Sequence, residues 1–265
     1  MVSAPRPTLD TTSGALLRST LLAEAGFAHA FPERSAADGE LARALGIEPG
    51  QVIVQVKQVH GGEALEVDDE GGAGVARGTG GAHGPDAREG DALIARAGSR
   101  AMAVGVRVAD CVPILVADEA TGGVAAIHAG WRGVTRGVVA NAIEQLMGRG
   151  DRRERGGLVA AIGPCIGACC FEVGRDVAAQ IALAAPVARV VASERGEKAY
   201  VDLRAAVRAQ LAAAGVPPGR IDDVPGCTKH EAGRFHSFRR DGAESGRMLA
   251  AIASRAAHLS ARIRS

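Results

Sequence analysis

Valines occupy every second position between Gln51 and Lys57, and this spacing predicts a half-buried β-strand. Longer apolar runs without a helical period predict strands that are buried on both faces. Such runs cover residues 101–108, 112–117, 124–128 and 158–162. Because the Thr-Gly-Gly sequence at 121–123 is typical of a turn, the second and third runs are expected to form a hairpin.

Helical spacing of apolar residues occurs in four other segments. Helices are therefore predicted over residues 39–45, 133–147, 203–214 and 243–259. The third helix begins after Asp202, a residue type that favours the N-cap position, and it ends before Gly215. Since strands and helices are mixed without regular βαβ alternation, the pattern favours the α+β class over a doubly wound sheet.

The chain of 265 residues has the length of one domain or of two closely packed halves. We expect a flexible tail at residues 1–14 and one domain over residues 15–265, and we find no internal repeat. Residues 68–90 are rich in glycine and charge and show no period, so they are expected to form a long loop. A loop of this length is either a lid or a tolerated insertion.

Composition narrows the classes of function. Hydrophobic residues make up 47% of the chain and charged residues 23%, which fits a globular protein and excludes disorder. A net charge of +1, with five Phe, one Tyr and one Trp as the only aromatic residues, disfavours a nucleic-acid partner. No apolar stretch is long enough to span a bilayer. With five Cys and no export signal, we expect reduced thiols, a cytoplasmic location and no membrane partner.

Two residues with reactive side chains flank the predicted hairpin: Cys111 precedes its first strand and His128 ends its second. Counting outward from a turn near residue 121 places Cys111 opposite a residue close to 130. The thiol and the imidazole are therefore expected at the same end of the hairpin. One interpretation is a Cys–His site for catalysis or metal binding, and the other is a buried, inert cysteine beside an unrelated histidine.

His60 is the third candidate, because it ends the strand predicted around Val54 and precedes two glycines. One Cys and two His form a known ligand set of catalytic zinc that leaves the fourth position open. The spacings of 51 and 17 residues match no zinc finger or ribbon. His60, Cys111 and His128 are therefore candidate ligands of a catalytic zinc ion, and the inert cysteine stays the alternative.

The other cysteines and histidines give weaker signals. Cys165, Cys169 and Cys170 lie in a loop rich in Gly and Pro, without a second cluster at ligand spacing. We interpret them mainly as small packing residues, with redox chemistry as the alternative. Three histidines are expected at the surface or at helix ends, namely His29, His83 and His258.

Arginines supply candidate ligands for an anion. Arg239 and Arg240 end a loop that also holds His230 and His236, and Arg132 follows the predicted zinc ligand His128 by four residues. Two adjacent arginines on a loop often form a solvated surface. Beside a metal site, their guanidinium groups would instead suit phosphate or carboxylate.

Six short blocks occur in order from about residue 27 to about residue 252, which is nearly the whole chain. They are KQVHG at 57–61, GDAL at 90–93, ADCVP at 109–113, AIHAGWRG at 126–133, IGPCIG at 162–167 with FEVG at 171–174, and CT at 227–228 with FHSFRRD at 235–241. Together these blocks resemble the YfiH family, whose members are also called laccase-domain proteins, polyphenol oxidases and peptidoglycan editing factors.

The resemblance implies a mixed α/β sandwich in a single domain, with zinc held by the residues that match His60, Cys111 and His128. The same three residues are then the expected catalytic residues. The resemblance also implies phosphorolysis of adenosine, inosine and methylthioadenosine and deamination of adenosine, so purine nucleosides and phosphate are the expected partners. The residues expected to bind these substrates are Gln58, Arg132, Arg239 and Arg240.

Two segments depart from the family pattern. Residues 31–34 run almost directly into a predicted helix, where the family usually has a longer loop. Residues 235–238 read Phe-His-Ser-Phe in place of Phe-Phe-Ser-Tyr, so a hydroxyl is lost and an imidazole is gained. Both changes concern the walls of the expected substrate site rather than its metal ligands.

Three other functions compete with the nucleoside enzyme. A cysteine hydrolase of peptidoglycan precursors would use Cys111 as the nucleophile and His128 as the base. A copper-type polyphenol oxidase is disfavoured, because a multicopper site needs more imidazoles than the seven histidines of the chain supply. The third alternative is a scaffold without activity whose metal is vestigial. None of these patterns predicts the oligomeric state.

Overall fold

Two mixed β-sheets lie face to face at the centre of the fold. The computed structural model describes residues 15–48, 51–67, 76–77, 88–98, 100–148 and 157–256. Its strands are β1 (Leu16–Leu17), β2 (His29–Pro32), β3 (Ile53–Gln55), β4 (Ala64–Val67), β5 (Ala76–Arg77), β6 (Ala92–Ala95), β7 (Ala103–Val108), β8 (Val112–Asp118), β9 (Val124–Ala129), β10 (Leu158–Ile162), β11 (Glu172–Gly174), β12 (Val191–Arg195), β13 (Lys198–Val201), β14 (Ile221–Asp223) and β15 (Met248–Ala253). Its helices are α1 (Thr20–Glu24), α2 (Asp38–Ala44), α3 (Trp131–Thr135), α4 (Val138–Met147), α5 (Arg175–Ala184), α6 (Leu203–Ala213) and α7 (Phe238–Asp241).

The first sheet has the strand order β1-β2-β15-β7-β3-β5, and the second has the order β14-β10-β8-β9-β6-β4. Both sheets are mixed, because β3 and β7 run parallel in the first and β4 and β6 run parallel in the second. A third sheet, β11-β13-β12, is antiparallel. No helix in the described ranges is long and apolar enough to cross a membrane.

The second sheet is buried on both faces. Towards the first sheet, Leu93 and Leu115 join Val104 of β7 in one fully buried cluster. On the opposite face, Ile127 of β9 packs in another buried cluster with Ile143 of α4. This double burial explains the continuous apolar runs, since neither face of these strands has to be polar.

The structure confirms the predicted mixed α/β architecture in a single domain. The predicted buried strands are β7, β8, β9 and β10, and the predicted hairpin is the antiparallel pair β8 and β9. Two helices are also where the spacing placed them, namely α2 and α6. The alternating valines lie around β3, but this strand is buried throughout and not half-buried as predicted. Its polar Gln55 is buried because the side-chain oxygen accepts a hydrogen bond from Nε of Arg107 at 2.7 Å.

The single helix predicted over residues 133–147 is wrong, because the structure has two helices, α3 and α4. Gly137 separates them with a φ of +76°, a left-handed conformation that ends the first helix. A glycine adopts this conformation without the steric penalty that a Cβ atom brings. The apolar spacing continues across the break, so the periodicity alone did not reveal it.

The last predicted helix, over residues 243–259, is also wrong in the described part of the segment. Residues 248–253 form β15, which pairs antiparallel with β7 and with β2. All six residues of this strand are buried, and three of them are alanines. A short apolar run of this kind fits a buried strand or a buried helix equally well, and pairing with two neighbouring strands decides the outcome.

The prediction for His29 is wrong, because this histidine lies on β2 and is fully buried. Its Nε2 accepts the backbone N–H of Ser19 at 2.8 Å, and its Nδ1 lies 2.8 Å from the carbonyl oxygen of Phe27. Both ring nitrogens therefore have local structural partners. His83, His258 and the tail at 1–14 lie outside the described residues. So does most of the loop predicted over 68–90, in which residues 76–77 form β5.

Replacing Asp202 by alanine is expected to lower the free energy of unfolding by about 1 kcal/mol. The Asp202 carboxylate caps α6 by accepting the N–H of Ala205 at 2.9 Å, and alanine leaves that donor without its partner. Asp202→Asn keeps an acceptor at the same place and is the matched control. Urea unfolding of both variants measures the effect, and an equal loss in the two would show that the capping bond is not its cause.

Candidate metal and substrate site

The β8–β9 hairpin brings Cys111 and His128 together. The register pairs Val112 with Ala129 and Pro113 with His128, so Cys111 lies opposite Gly130 at the open end of the hairpin. This confirms the predicted position of the cysteine relative to the second strand.

His60, on the segment that follows β3, completes the group. One potential ligand atom of His60, of Cys111 and of His128 lies within 4.8 Å of each of the others. The two imidazole rings are 4.8 Å apart between centroids and stand at 82° to each other.

Asp91 joins the two histidines, although the sequence patterns assigned it no role. Its fully buried carboxylate lies 2.7 Å from Nδ1 of His128. The same carboxylate accepts the backbone N–H groups of His60 at 3.0 Å and Gly61 at 2.6 Å. When His128 donates its Nδ1 proton to Asp91, its Nε2 is left to face Cys111. Such a carboxylate–histidine pair is typical of metal sites, where it fixes the orientation of the imidazole.

The backbone is strained at two points of this group. His60 has a φ of 57° and Asp110 a φ of 88°, although neither residue is glycine. The strained Asp110 is held by its carboxylate, which accepts the hydroxyl of Thr228 at 2.6 Å and the backbone N–H of Arg239 at 2.6 Å. Non-glycine residues in this region occur mainly where surrounding contacts impose the conformation, often at functional sites.

Gly130 provides the space for the group. A Cβ atom at this position would lie 3.0 Å from Sγ of Cys111 and 3.0 Å from Cδ2 of His60. Since both neighbours are held by their own contacts, a larger residue at 130 would push the thiol and the imidazole apart. The glycine in the AIHAGWRG block is therefore explained by close packing beneath the site.

The electrostatics favour a charged Cys111–His128 pair. Burial opposes ionisation of the Cys111 thiol, but the charge of His128 and hydrogen bonds from His128 and His60 outweigh it and lower the thiol pKa to about 6. Burial likewise opposes protonation of His128, but Cys111 and Asp91 raise its pKa to about 9. For Asp91, burial opposes ionisation, but the hydrogen bonds from His128, Gly61 and His60 together with the charge of His128 outweigh it and lower the carboxyl pKa. The thiol is therefore already a thiolate near neutral pH, the form that binds metal.

This donor set fits a metal ion. One thiolate and two imidazoles form a ligand set of catalytic zinc, and the fourth position is left for water or substrate. The ligands also suit copper, since both metals accept thiolate and imidazole. The Asp91–His128 bond supplies the outer partner that metal-bound histidines usually have.

A cavity of about 470 Å³ opens over the group. Its lining contains His60, Cys111 and His128 together with Lys57, Gln58, Arg107, Ala109, Asp110, Ile166, Phe171, Phe238, Arg239 and Arg247. Four of these side chains are cationic and one is acidic, so the cavity suits an anionic group. Phe171 and the half-exposed Phe238 add aromatic surface against which a flat ring can pack.

The structure brings two of the four expected substrate-binding residues into this lining. The Gln58 amide bonds to both the backbone N–H and the carbonyl of Arg107, at 2.8 Å each. The Arg239 guanidinium donates to the carbonyl of Glu172 at 2.8 Å and lies 5.5 Å from the centre of the Phe171 ring.

Arg132 and Arg240 lie outside the cavity lining. Arg132 is exposed, and its guanidinium stacks over the ring of its neighbour Trp131 at 4.6 Å. Arg240 donates to the carbonyls of Thr228, Lys229 and Phe235 and pairs with the carboxylate of Asp241. Its guanidinium is therefore engaged in holding the loop that precedes α7.

The sequence patterns assigned no role to three residues of the site, although two of them carry a usable signal. Asp91 stands directly before the buried strand β6, and a carboxylate in that position was a usable signal. Arg107 is a charged residue within the apolar run of β7, which also set it apart. Arg247 carries no such signal, because the apolar spacing of its segment predicts a helix.

In metal-free protein, alkylation of Cys111 is expected to have its midpoint near pH 6, because the reactive thiolate persists down to the lowered pKa of about 6. With metal bound, the same sulfur should react slowly. The rate is measured with iodoacetamide from about pH 5 to about pH 9, with the modified peptide identified by mass spectrometry.

Cys165 serves as the internal control, since burial raises the pKa of its thiol to about 11 and it should stay unmodified. A midpoint above about pH 8 for Cys111, near that of an ordinary thiol, would contradict the charged pair.

Comparison with known proteins identifies the family. Residues 35–255 match the family model described as multi-copper polyphenol oxidoreductase laccase. Adenosine deaminase RL5, from an unknown prokaryotic organism, is 40% identical over 164 residues, which are 61% of this chain and 61% of that relative's length. A purine nucleoside phosphorylase of Deinococcus radiodurans is 37% identical over 212 residues, which are 80% of this chain and 74% of the relative.

Solved structures of similar proteins share this fold. The crystal structure of YlmD from Geobacillus stearothermophilus superposes with a TM-score of 0.77 at 27% identity and covers 93% of this chain and 98% of that one. A Bacillus licheniformis protein, YfiH, shares the fold with a TM-score of 0.74 at 23% identity over 93% of this chain and 99% of that one. The chain therefore belongs to the multi-copper polyphenol oxidoreductase laccase family, which is the YfiH family that its sequence blocks resemble.

Proposed function

We propose that this protein is a zinc-dependent enzyme of purine nucleosides, which cleaves adenosine, inosine and methylthioadenosine with phosphate and deaminates adenosine. The observation that carries the proposal is the cationic, partly aromatic cavity that opens onto His60, Cys111 and His128. The names of the relatives support it, since they include an adenosine deaminase and a purine nucleoside phosphorylase.

Different residues of the cavity wall are suited to the two substrates, phosphate and purine nucleoside. The guanidinium groups of Arg239 and Arg247, with Arg107 beside them, supply the paired donors that phosphate accepts best. Phe171 and Phe238 offer flat apolar surface for the purine. A nucleoside and a phosphate bound side by side would then be aligned for reaction without further loss of freedom.

His60, Cys111 and His128 would hold the zinc ion, which when bound supplies Lewis acidity at the floor of the cavity. The Asp91 carboxylate accepts a hydrogen bond from Nδ1 of His128 and so keeps Nε2 directed at the site. Its other hydrogen bonds fix the backbone at His60 and Gly61, so the ligands are in place before substrate arrives.

In phosphorolysis, a phosphate oxygen bonds to C1′ of the ribose while the bond from C1′ to N9 of the purine breaks, and the base leaves with a proton. In deamination, a water oxygen replaces the amino group at C6 and ammonia is released. Cationic side chains around the phosphate keep its charge compensated as the ribose takes on positive character.

A cysteine hydrolase remains the second candidate, and the lowered pKa of Cys111 beside His128 is the observation that favours it. In that reaction Cys111 would be the nucleophile, and a covalent adduct would form on its sulfur. The position of His60 favours the metal site, because a Cys–His dyad requires no second imidazole at the same sulfur.

The proposal is tested by incubating purified protein with adenosine, inosine and methylthioadenosine, each with and without phosphate, and separating the products by chromatography. We expect the free base only when phosphate is present, together with ribose 1-phosphate from adenosine and inosine and 5-methylthioribose 1-phosphate from methylthioadenosine. Inosine should form from adenosine without phosphate. Absence of both products from all three nucleosides would overturn the proposal. A substrate fragment attached to Cys111, seen by mass spectrometry, would establish the hydrolase instead.

Replacing Arg239 by alanine is expected to raise KM for phosphate about 10- to 100-fold, since a hydrogen bond to a charged group contributes roughly 1.5–3 kcal/mol. KM for the nucleoside should change less. The matched control is Arg175→Ala, which removes an exposed arginine that pairs with Glu194 on the surface. Steady-state kinetics with phosphate as the varied substrate measure the effect. An unchanged KM for phosphate would exclude Arg239 from the phosphate site.

A further inference from the structure

A second cluster of metal-binding side chains lies outside the cavity lining. Cys169, Cys170, Cys227 and His230 each offer one ligand atom, and these four atoms lie within 4.8 Å of one another. The sequence favoured packing roles for the first two. That interpretation suits the buried Cys165, which is not part of the cluster, but it does not suit Cys169, whose side chain is exposed.

The distances from Cys169 to the other three ligand atoms have the size of tetrahedral edges. Sγ of Cys169 lies 3.7 Å from Sγ of Cys170, 3.7 Å from Sγ of Cys227 and 3.4 Å from Nδ1 of His230. A tetrahedral zinc ion with Zn–S bonds of about 2.3 Å and Zn–N bonds of about 2.0–2.1 Å separates two sulfurs by about 3.8 Å, and a sulfur and a nitrogen by about 3.5 Å. The three distances from Cys169 therefore match those between ligands of one ion, and the remaining pairs of ligand atoms lie within 4.8 Å.

The local backbone supports the same interpretation. Cys227 and His230 stand at the two ends of a Cys-x-x-His segment, and the N–H of His230 donates to Sγ of Cys227. The N–H of Gly167, from the facing loop, donates to the same sulfur at 3.3 Å. Both bonds fix the position of this sulfur beside the ligand atoms of the other three side chains.

We propose that Cys169, Cys170, Cys227 and His230 bind a structural Zn²⁺ ion, separate from the site at His60, Cys111 and His128. Three thiolates and one imidazole close the coordination shell, and a closed tetrahedral shell is the mark of a structural rather than a catalytic zinc site. Soft thiolate ligands select zinc over magnesium or calcium. Because Cys169 and His230 are exposed, the ion can be exchanged from solvent.

This ion would fix the wall of the substrate cavity. Phe171 directly follows Cys170, and Thr228 directly follows Cys227. The hydroxyl of Thr228 donates to Asp110, the strained residue before Cys111, and Phe171 lies under the guanidinium of Arg239. Cross-linking residues 169–170 to residues 227–230 therefore holds both a cavity-lining ring and the backbone at Cys111 without contact between this ion and substrate.

The competing chemistry is a disulfide between Cys169 and Cys227. Its formation would join the two sulfurs and transfer two electrons, with loss of two protons, to an oxidant. Such a bond would leave Cys170 and His230 without a part in the cluster, whereas one zinc ion uses all four side chains. The zinc site is therefore the better fit to the geometry.

The test counts zinc in chains whose first site has been removed. Cys111→Ala protein, purified under reducing conditions without added metal, is expected to hold about one zinc per chain by elemental mass spectrometry. Adding Cys169→Ser should reduce that content to near zero, whereas adding Cys165→Ala, a cysteine of the same loop outside the cluster, should leave it unchanged. Equal zinc content in the Cys169→Ser and Cys165→Ala chains would overturn the proposal.

Cobalt substitution gives an independent measure in folded protein. Charge-transfer absorption from thiolate to Co²⁺ grows with the number of sulfur ligands, so the Cys111→Ala chain should show the intense spectrum of a three-thiolate site. His230→Gln, an exposed replacement that spares the cysteines, should shift the spectrum and weaken cobalt binding at least tenfold. A chain without zinc whose mass is lower by two hydrogens would show the disulfide and contradict the proposal.

Discussion

Replacing Cys111 by alanine is expected to reduce kcat/KM for nucleosides by on the order of 10³-fold, because it removes the only thiolate of the first metal site. A bound metal contributes several kcal/mol of transition-state stabilisation, and each 1.4 kcal/mol corresponds to about a tenfold change in rate. Zinc content should fall from about two ions per chain to about one, which the second cluster retains. Steady-state kinetics and elemental analysis of the same preparation measure both quantities.

Cys165→Ala is the matched control, since Cys165 is buried and lies outside the first site. It should keep the wild-type zinc content and rate. Full zinc occupancy in a chain that lacks both Cys111 and His128, with the second cluster removed by Cys169→Ser, would show that these residues are not the ligands.

Replacing Asp91 by asparagine is expected to weaken metal binding and activity by roughly 10- to 100-fold, the usual effect of losing an outer partner of a metal-bound histidine. Asparagine keeps the size of the side chain but removes the charge that orients and supports His128. The raised pKa of His128 should fall as well, because the Asp91 carboxylate contributes to it. Metal competition titrations and NMR titration of the His128 ring measure the two effects.

Asp118→Asn provides the comparison for this experiment. Asp118 is also buried, but it holds the hairpin turn through the N–H of Ala120 and the hydroxyl of Thr121. Its replacement should lower stability without changing metal affinity. Equal losses of metal affinity in the two variants would show that Asp91 acts through general stability rather than through His128.

Local sequence predicted the part of the site that lies on one hairpin. The turn at 121–123 and two buried strands set the register that puts Cys111 near His128, and this register follows from residues close together in the chain. His60 could be predicted as a candidate ligand because it lies at the end of a predicted strand. Asp91 was not assigned a role, because its contact with His128 depends on pairing between β6 and β9.

The positions of the arginine side chains could not be predicted from the sequence. Arg239 and Arg240 are neighbours, yet Arg239 lines the cavity and Arg240 holds backbone carbonyls of its own loop. Both residues lie on α7, which begins after Ser237, and the course of this helix points the two side chains in different directions. Likewise, the alanine-rich segment at 248–253 is a strand because β2 and β7 pair with it. This pairing cannot be predicted from the composition of the segment.

Zinc at His60, Cys111 and His128 is expected to support phosphorolysis of purine nucleosides. The most direct measurement follows the release of hypoxanthine from inosine in the presence of phosphate, in protein as purified, after removal of metal by a chelator, and during zinc return. We expect the rate to fall to background after chelation and to recover in proportion to the zinc bound at the first site. Undiminished release by metal-free protein, or no release at any zinc content, would contradict the claim.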